Sequence, residues 1–236
     1  MKNLIYLLVF HIIGTVCAQT IGNGDGISTD IQAGIVMREV DIQGSPYLNE
    51  VYKKGETIIN GKSRTSALMR YDAYHDAVEI LDENRKARKL LRRPSIKAVF
   101  DGKTYEVLEY KEGKQVKMGY FNSLNQGHTQ LLFKPKKKFV QAEKPENGYD
   151  DYDPPVYKDI SAYFIRKGDQ SATMIKLNKK GLLKALNDQE ALLKKFIKKH
   201  SLDLKKETHA IRLIQYYNSI NKTTERLIDL NSTAAG

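Results

Sequence analysis

The sequence predicts an α+β fold, with a mainly antiparallel curved sheet or partial barrel followed by a C-terminal cap of short helices. Two patterns predict it. Between Gly34 and Gln141, apolar and polar residues alternate in short runs that end at turn signals. From Asn178 to Ile220, apolar residues recur at helical spacing. The short strands are evenly spaced, which favours an antiparallel meander over a βαβ array.

Residues 1–18 are typical of an export signal. Lys2 gives a positive start, Leu4–Ile13 form a hydrophobic stretch, and small residues precede the end of the segment at Ala18. The stretch has about half of the roughly 20 apolar residues that a membrane-spanning helix needs. We therefore predict cleavage after Ala18 and no transmembrane segment in the mature chain. A lipid on Cys17 and an uncleaved anchor are the two alternatives.

Cysteine content and charge restrict what the mature chain can be. Cys17 is the only cysteine, so the exported chain has no disulfide, no cysteine nucleophile and no cysteine zinc site. The formal charge of the full sequence is +11, and loss of Lys2 with the leader leaves +10. Such a charge attracts anionic glycans or lipid headgroups. The alternative is that it only keeps a β-rich protein dispersed.

The β domain is predicted to span residues 34–175, after a flexible lead-in at 19–33. Asn60-Gly61 supplies the two positive φ angles of a tight hairpin. A second turn is expected at Tyr74–Asp76, because neither side of the alternating pattern around it is cleanly apolar. Further turns are predicted at Asp101-Gly102, Glu112-Gly113 and Asn125-Gln126-Gly127.

Residues 143–159 are predicted to be an acidic surface loop. The segment has a local net charge of −4 and contains Pro154-Pro155, which does not fit regular structure. Three of its carboxylates offer a start for a calcium shell, namely Asp150, Asp151 and Asp153. Acidic runs are more often only solvated, so we predict no metal site and no cofactor.

Residues 176–220 are predicted to form short helices that pack on the sheet, with a frayed tail at 221–236. Asn178 is the predicted N-cap of the first helix and Asp188 that of the second. The third helix has an apolar face formed by Ala210, Ile211, Ile214 and Tyr217.

Three stretches of this sequence, GSPYLNEVYKKGE, MRYDAYHDAVEI and IRLIQYYNSI, resemble in order and spacing a family of uncharacterised exported proteins of Bacteroidota-type bacteria. The likeness covers most of Gly44 to Asn221. It implies an envelope or outward-facing location and a Gram-negative type of signal. It implies no reaction and no catalytic residues, because that family has no assigned activity.

Candidate catalytic residues are few. His75 lies between Asp72 and Asp76, and a carboxylate beside it would orient its ring or raise its pKa. The sequence contains neither a His-Glu-x-x-His zinc pattern nor a Gly-x-Ser-x-Gly elbow. We therefore predict no enzymatic activity and no catalytic residue. An exported hydrolase that uses these three side chains stays as a further alternative.

Two groups of residues are candidates for binding. Arg85–Arg93 holds six basic residues and is the predicted anion-facing segment: Arg85, Lys86, Arg88, Lys89, Arg92 and Arg93. It has no aromatic residues for base stacking, so nucleic acid is not expected as a partner. The second group is a set of strand tyrosines that would line a ligand site if the sheet is concave: Tyr71, Tyr74 and Tyr120.

These patterns predict an exported, non-enzymatic protein of the cell envelope, in the periplasm, at the outer membrane or outside the cell. Its role would be to bind an envelope component or polyanion through basic loops. The alternative is a periplasmic carrier that holds a lipid-like ligand in a curved sheet.

Overall fold

The computed structural model describes residues 41–142 and 153–233; side chains are described as far as Asn221, except that of Ser63. The predicted export signal and lead-in lie outside the described residues, as does most of the predicted acidic loop. Within the described part of the chain, no helix has the length and apolar character needed to cross a membrane.

The strands precede the helices along the chain. The strands are β1 Lys53–Ile59, β2 Ser63–Asp72, β3 Ala77–Leu81, β4 Ala87–Lys89, β5 Ile96–Phe100, β6 Lys103–Glu112, β7 Gln115–Ser123, β8 Thr129–Lys134, β9 Lys137–Val140, β10 Val156–Asp159, β11 Ala162–Lys167 and β12 Thr173–Ile175. The helices are α1 Lys179–Ala185, α2 Glu190–Lys199 and α3 Glu207–Thr233, and a 3₁₀ turn at Asn187–Gln189 lies before α2.

Ten of the strands form one curled sheet in the order β12-β11-β8-β7-β6-β5-β1-β2-β3-β4, and β9 pairs with β10 in a separate ribbon. All of these strand pairs are antiparallel. The curl brings the chain before β12 back to β6, where Tyr110 and Ala172 form a parallel bridge. The predicted mainly antiparallel, curved sheet with C-terminal helices is therefore confirmed.

Positive-φ residues make the tight turns of the sheet. Asn60 and Gly61 have φ angles of 51° and 70° between β1 and β2, and Asp101 and Gly102 have 52° and 68° between β5 and β6. Both hairpins were expected from these dipeptides. The turn between β2 and β3 ends at Asp76, which also has a positive φ of 53°. The Asp76 side chain contacts Tyr120 on β7 and Lys134 on β8, as well as Tyr71 on β2.

Three apolar clusters hold the fold together. The first lies on strands β2, β3, β5, β6 and β7 and is rich in tyrosine: Met69, Tyr71, Val78, Phe100, Tyr105, Val107 and Tyr120. The second is formed where the sheet curls, by Tyr110, Phe121, Leu132, Phe164 and Ala172. The third joins the helices to β8 and β11 through residues that include Leu131, Ile165, Leu193, Leu213 and Ile214. Burial of these side chains stabilises a fold that has no disulfide cross-link.

Asn178 caps α1 as predicted, because its side-chain oxygen accepts the Gly181 N–H at 2.8 Å. The predicted cap of α2 is wrong. Asp188 lies in the 3₁₀ turn, and Gln189 takes the N-cap position without a side-chain hydrogen bond. The Asp188 carboxylate instead accepts the Tyr217 hydroxyl at 2.6 Å and the Lys167 ammonium at 3.1 Å. It therefore ties both α3 and the end of β11 to the 3₁₀ turn before α2.

Two predicted boundaries also change. Helix α3 continues to Thr233 instead of ending at Ile220, because the polar run that follows contains no glycine or proline to stop it. The predicted loop 143–159 ends in strand β10, which pairs with β9 from Val156 onward. The predicted anion-facing segment Arg85–Arg93 contains β4, which forms one edge of the large sheet.

Candidate functional site

Several of the residues singled out from the sequence meet around one carboxylate, that of Asp76. Its Oδ1 accepts the Tyr71 hydroxyl at 2.5 Å and the Tyr120 N–H at 3.2 Å. Its Oδ2 accepts the Lys134 ammonium at 2.9 Å, and an Arg92 nitrogen lies 3.9 Å away. The centre therefore joins the β2–β3 turn to β7, β8 and the basic segment.

Lys134 is buried, with 4% of its side chain exposed. Besides Asp76, its ammonium donates to the Tyr120 carbonyl at 3.3 Å. It also lies 4.9 Å from the ring centres of both Tyr110 and Phe121. These contacts replace the water that a lysine needs for its charge.

The backbone explains why an ion pair is accommodated here. On β7, only Asn122 and Ser123 pair with β8, so Tyr120 has no partner on that strand. The N–H and C=O of Tyr120 are bonded by Asp76 and Lys134 instead of by a neighbouring strand. Gly119 leaves the necessary space, because a Cβ at that position would lie 2.8 Å from the Asp76 Oδ2.

Burial shifts the pKa values of Tyr71 and Lys134 in opposite directions. Burial raises the pKa of Tyr71 well above its ordinary value, and the Asp76 carboxylate raises it further. Burial lowers the pKa of Lys134, whereas the attraction of Asp76 and the hydrogen bond to it raise that pKa. The charged form of Lys134 therefore depends on Asp76.

His75 and Asp72 form a second pair next to this centre. The His75 Nδ1 lies 2.6 Å from the Asp72 Oδ2, and 54% of the imidazole side chain is exposed. The other oxygen of Asp72 accepts the N–H groups of Tyr74 and His75 at 3.1 and 2.9 Å. Asp72 thus shapes the turn as well as orienting the ring. Among the described residues, no hydroxyl group is hydrogen-bonded to His75 to act as a nucleophile.

The basic segment Arg85–Arg93 is exposed at all six of its basic residues. Two of them hold it in place. Arg88 pairs with Asp82 at 2.8 Å, and Arg92 donates to the carbonyl oxygens of His75, at 3.1 Å, and Asp76. The other four have no carboxylate partner among the described residues: Arg85, Lys86, Lys89 and Arg93.

The three candidate tyrosines do not line one cavity. Tyr71 and Tyr120 are 1% and 0% exposed and contact each other edge to face at 6.1 Å inside the core. Tyr74 is 43% exposed and packs against Tyr157 at 5.5 Å, on the β9–β10 ribbon. The prediction of strand tyrosines is correct for Tyr71 and Tyr120 but wrong for Tyr74, which lies in the turn between β2 and β3. Sequence alternation also does not distinguish a filled interior from an open one.

Lys134 was not singled out from the sequence, although it is the partner of Asp76. The signal was present in TQLLFKP, where Lys134 shares a strand face with the buried Leu132. A lysine at an inward position of a strand indicates a buried anion, but alternation does not identify which one. The anion here lies 58 residues earlier in the chain.

Within the described residues, no three side chains of His, Cys, Asp or Glu come together to hold a metal ion. The carboxylates considered for calcium lie outside those residues, except Asp153. No protein-family model, curated protein or solved structure matches this chain.

Proposed function

We propose that this protein is an exported, non-enzymatic module of the cell envelope that binds a polyanion, an acidic glycan or anionic lipid headgroups, through the basic segment Arg85–Arg93. The observation that carries the proposal is the set of four exposed cations on and beside the edge strand β4 that have no carboxylate partner within residues 41–142 and 153–221. Charges left unpaired on a surface are free to attract an anion.

The basic segment is also held in one shape, which lowers the entropy cost of binding. Asp82 closes its first turn by accepting the Lys86 N–H at 2.8 Å, and the Asp82 N–H donates to the Lys86 carbonyl at 3.0 Å. At the other end, the Leu90 N–H donates to the Val78 carbonyl at 2.8 Å. An anionic partner would therefore meet cations on a segment whose backbone is already fixed.

A ligand-carrying role inside the sheet receives less support. The ring of Tyr71 packs against those of Tyr105 and Tyr120, and all three belong to one buried apolar cluster of the sheet. We place the binding role on the outer surface for that reason.

The test compares two variants with the same loss of charge. One replaces Arg85, Lys86, Lys89 and Arg93 by Gln; its control replaces four exposed lysines of the helical region, Lys195, Lys198, Lys199 and Lys205. Binding to a uronic-acid polysaccharide and to vesicles with anionic lipid is measured at low and high salt. We expect the first variant to bind at least about tenfold more weakly than the control, and the wild type to weaken as salt rises.

Equal weakening of the two variants would show that total charge, and not this segment, attracts the polyanion. Binding by the wild type that does not change with salt would contradict the electrostatic basis of the proposal.

A further inference from the structure

A groove of about 490 Å³ lies between the edge strand β12 and helix α1. Its size falls within the range of small-molecule sites in proteins, about 300–1,000 Å³. Nine residues line it: Thr173, Met174, Ile175, Lys176, Asn178, Lys180, Gly181, Lys184 and Ala185. The groove is separate from the basic segment, because β12 and β4 are opposite edges of the ten-stranded sheet.

The floor of the groove is apolar and open to solvent. Met174 leaves 56% of its surface exposed, although it lies on a strand of the folded sheet. Ile175 and Ala185 add apolar surface beside it. Gly181 lets α1 lie directly against the chain that leaves β12, since a Cβ there would collide with the Lys176 carbonyl oxygen. An apolar floor in contact with water favours an apolar occupant.

The rim of the groove is cationic. Lys176, Lys180 and Lys184 are exposed, and none has an ion-pair partner among the described residues. Lys180 and Lys184 are four residues apart on α1, so they lie on the same helix face and repel each other. In the part of the chain that the structure describes, no acidic residue lines the groove to offset them. A bound anion would remove this repulsion.

From this combination we propose that the groove binds a single-chain anionic amphiphile, with its alkyl chain over Met174 and Ile175 and its acidic head among the three lysines. The apolar floor alone would accept any alkyl chain, and the lysines alone would accept any small anion. Only a molecule that carries both parts satisfies both parts of the groove. This inference does not depend on the proposed binding of polyanions at the other sheet edge.

The experiment uses isothermal titration calorimetry of the full mature chain with three probes. Decanoate below its micelle concentration has the chain and the charge, decanol has the chain only, and acetate has the charge only. We expect decanoate to bind at least about tenfold more tightly than decanol, and acetate to give no detectable binding.

Three variants locate the site. Replacing Lys176, Lys180 and Lys184 by Gln is expected to reduce decanoate binding to the level of decanol, and Met174→Ser is expected to weaken both ligands. The matched control replaces Lys195, Lys198 and Lys199 by Gln and is expected to bind decanoate like the wild type. Circular dichroism and thermal unfolding of each variant show whether it is folded.

Several results would overturn the proposal. These are no decanoate binding by the wild type, equal effects of the groove and control lysine variants, or a dimer that Met174→Ser dissociates in sedimentation, which would make the groove an interface between copies. The variant with four substitutions in the basic segment serves to separate the two proposals. It is expected to bind decanoate normally, whatever happens to its binding of polysaccharide.

Discussion

The ion pair between buried Lys134 and partly exposed Asp76 offers the sharpest test of how this fold is held together, through the substitution Asp76→Asn. The variant keeps the shape of the side chain and an oxygen for the Tyr71 hydroxyl, but it removes the charge that faces Lys134. The ammonium is then left in the core with the Tyr120 carbonyl at 3.3 Å and two aromatic rings. Removing one partner of a buried ion pair typically costs about 3–5 kcal/mol of unfolding free energy.

Deprotonation of Lys134 sets an upper limit on this loss. Lys134 can escape the cost of its buried charge by releasing its proton. From an ordinary lysine pKa of about 10.4, release at pH 7 costs about 5 kcal/mol, at about 1.4 kcal/mol per pH unit. The expected loss at pH 7 is therefore about 3–5 kcal/mol, which is a large part of the stability of a typical domain.

The cost of deprotonating Lys134 falls as pH rises, so the loss of stability in Asp76→Asn should become smaller at higher pH. In the variant, the folded-state pKa of Lys134 lies below its unfolded value, so the unfolded state binds more protons. Stability must then rise with pH between those two pKa values, by up to about 1.4 kcal/mol per unit. Urea unfolding of wild type and Asp76→Asn at pH 7, 8 and 9 measures this slope.

Two comparisons make the result decisive. Lys136→Met removes a lysine that is 41% exposed and pairs with Glu112, and we expect it to cost less than about 1 kcal/mol. Adding Lys134→Met to Asp76→Asn should restore part of the lost stability, because no unpaired charge remains. A loss below about 1 kcal/mol for Asp76→Asn, or a loss that stays constant from pH 7 to pH 9, would refute the reasoning.

Three further predictions concern other parts of the fold. Asn178→Ala removes the cap of α1 and should lower the unfolding free energy by about 1 kcal/mol in urea titrations. Tyr217→Phe removes the hydrogen bond that ties α3 to the 3₁₀ turn and should cost about 1 kcal/mol in the same assay. The ion pairs of Glu112 with Lys117 and Lys136 lower the pKa of Glu112 to about 2, so the folded state gains stability above the ordinary carboxyl pKa and loses it as pH falls toward 2. In Glu112→Gln, the unfolding free energy should fall less between pH 5 and pH 2 than in the wild type. The difference should be below about 1 kcal/mol, because this site is partly exposed.

The local parts of the architecture were predictable from the sequence, since each depends on neighbouring residues. Asn60-Gly61 and Asp101-Gly102 fix their hairpins through φ angles that few other residues adopt. Asn178 caps α1 through a hydrogen bond to a residue three positions ahead. Asp188 misled the same reasoning, because a carboxylate before a helix resembles a cap, whereas a distant tyrosine and lysine bind it here.

The order of the strands and the ion pair were not predictable in the same way. Strand β1 lies between β2 and β5, so the hairpin of β3 and β4 forms an edge of the sheet, which no local signal specifies. Asp76 appeared in the sequence as a neighbour of His75 in a turn, and Lys134 as part of a basic run. Their contact depends on the curl of the whole sheet, which brings a turn onto a distant strand.

The position of the ion pair has a further consequence for the surface. Its charges bond the backbone of Tyr120 where β7 leaves β8, so the pair fixes the β2–β3 turn against the opposite part of the sheet. The carbonyl oxygens of that turn in turn receive Arg92. An apolar pair of equal volume would fill the same space and often gives equal or greater stability, but it has no groups to bond a strand backbone. The pair of Asp76 and Lys134 therefore fixes the position of the turn, and through Arg92 that position extends to the proposed polyanion-binding segment.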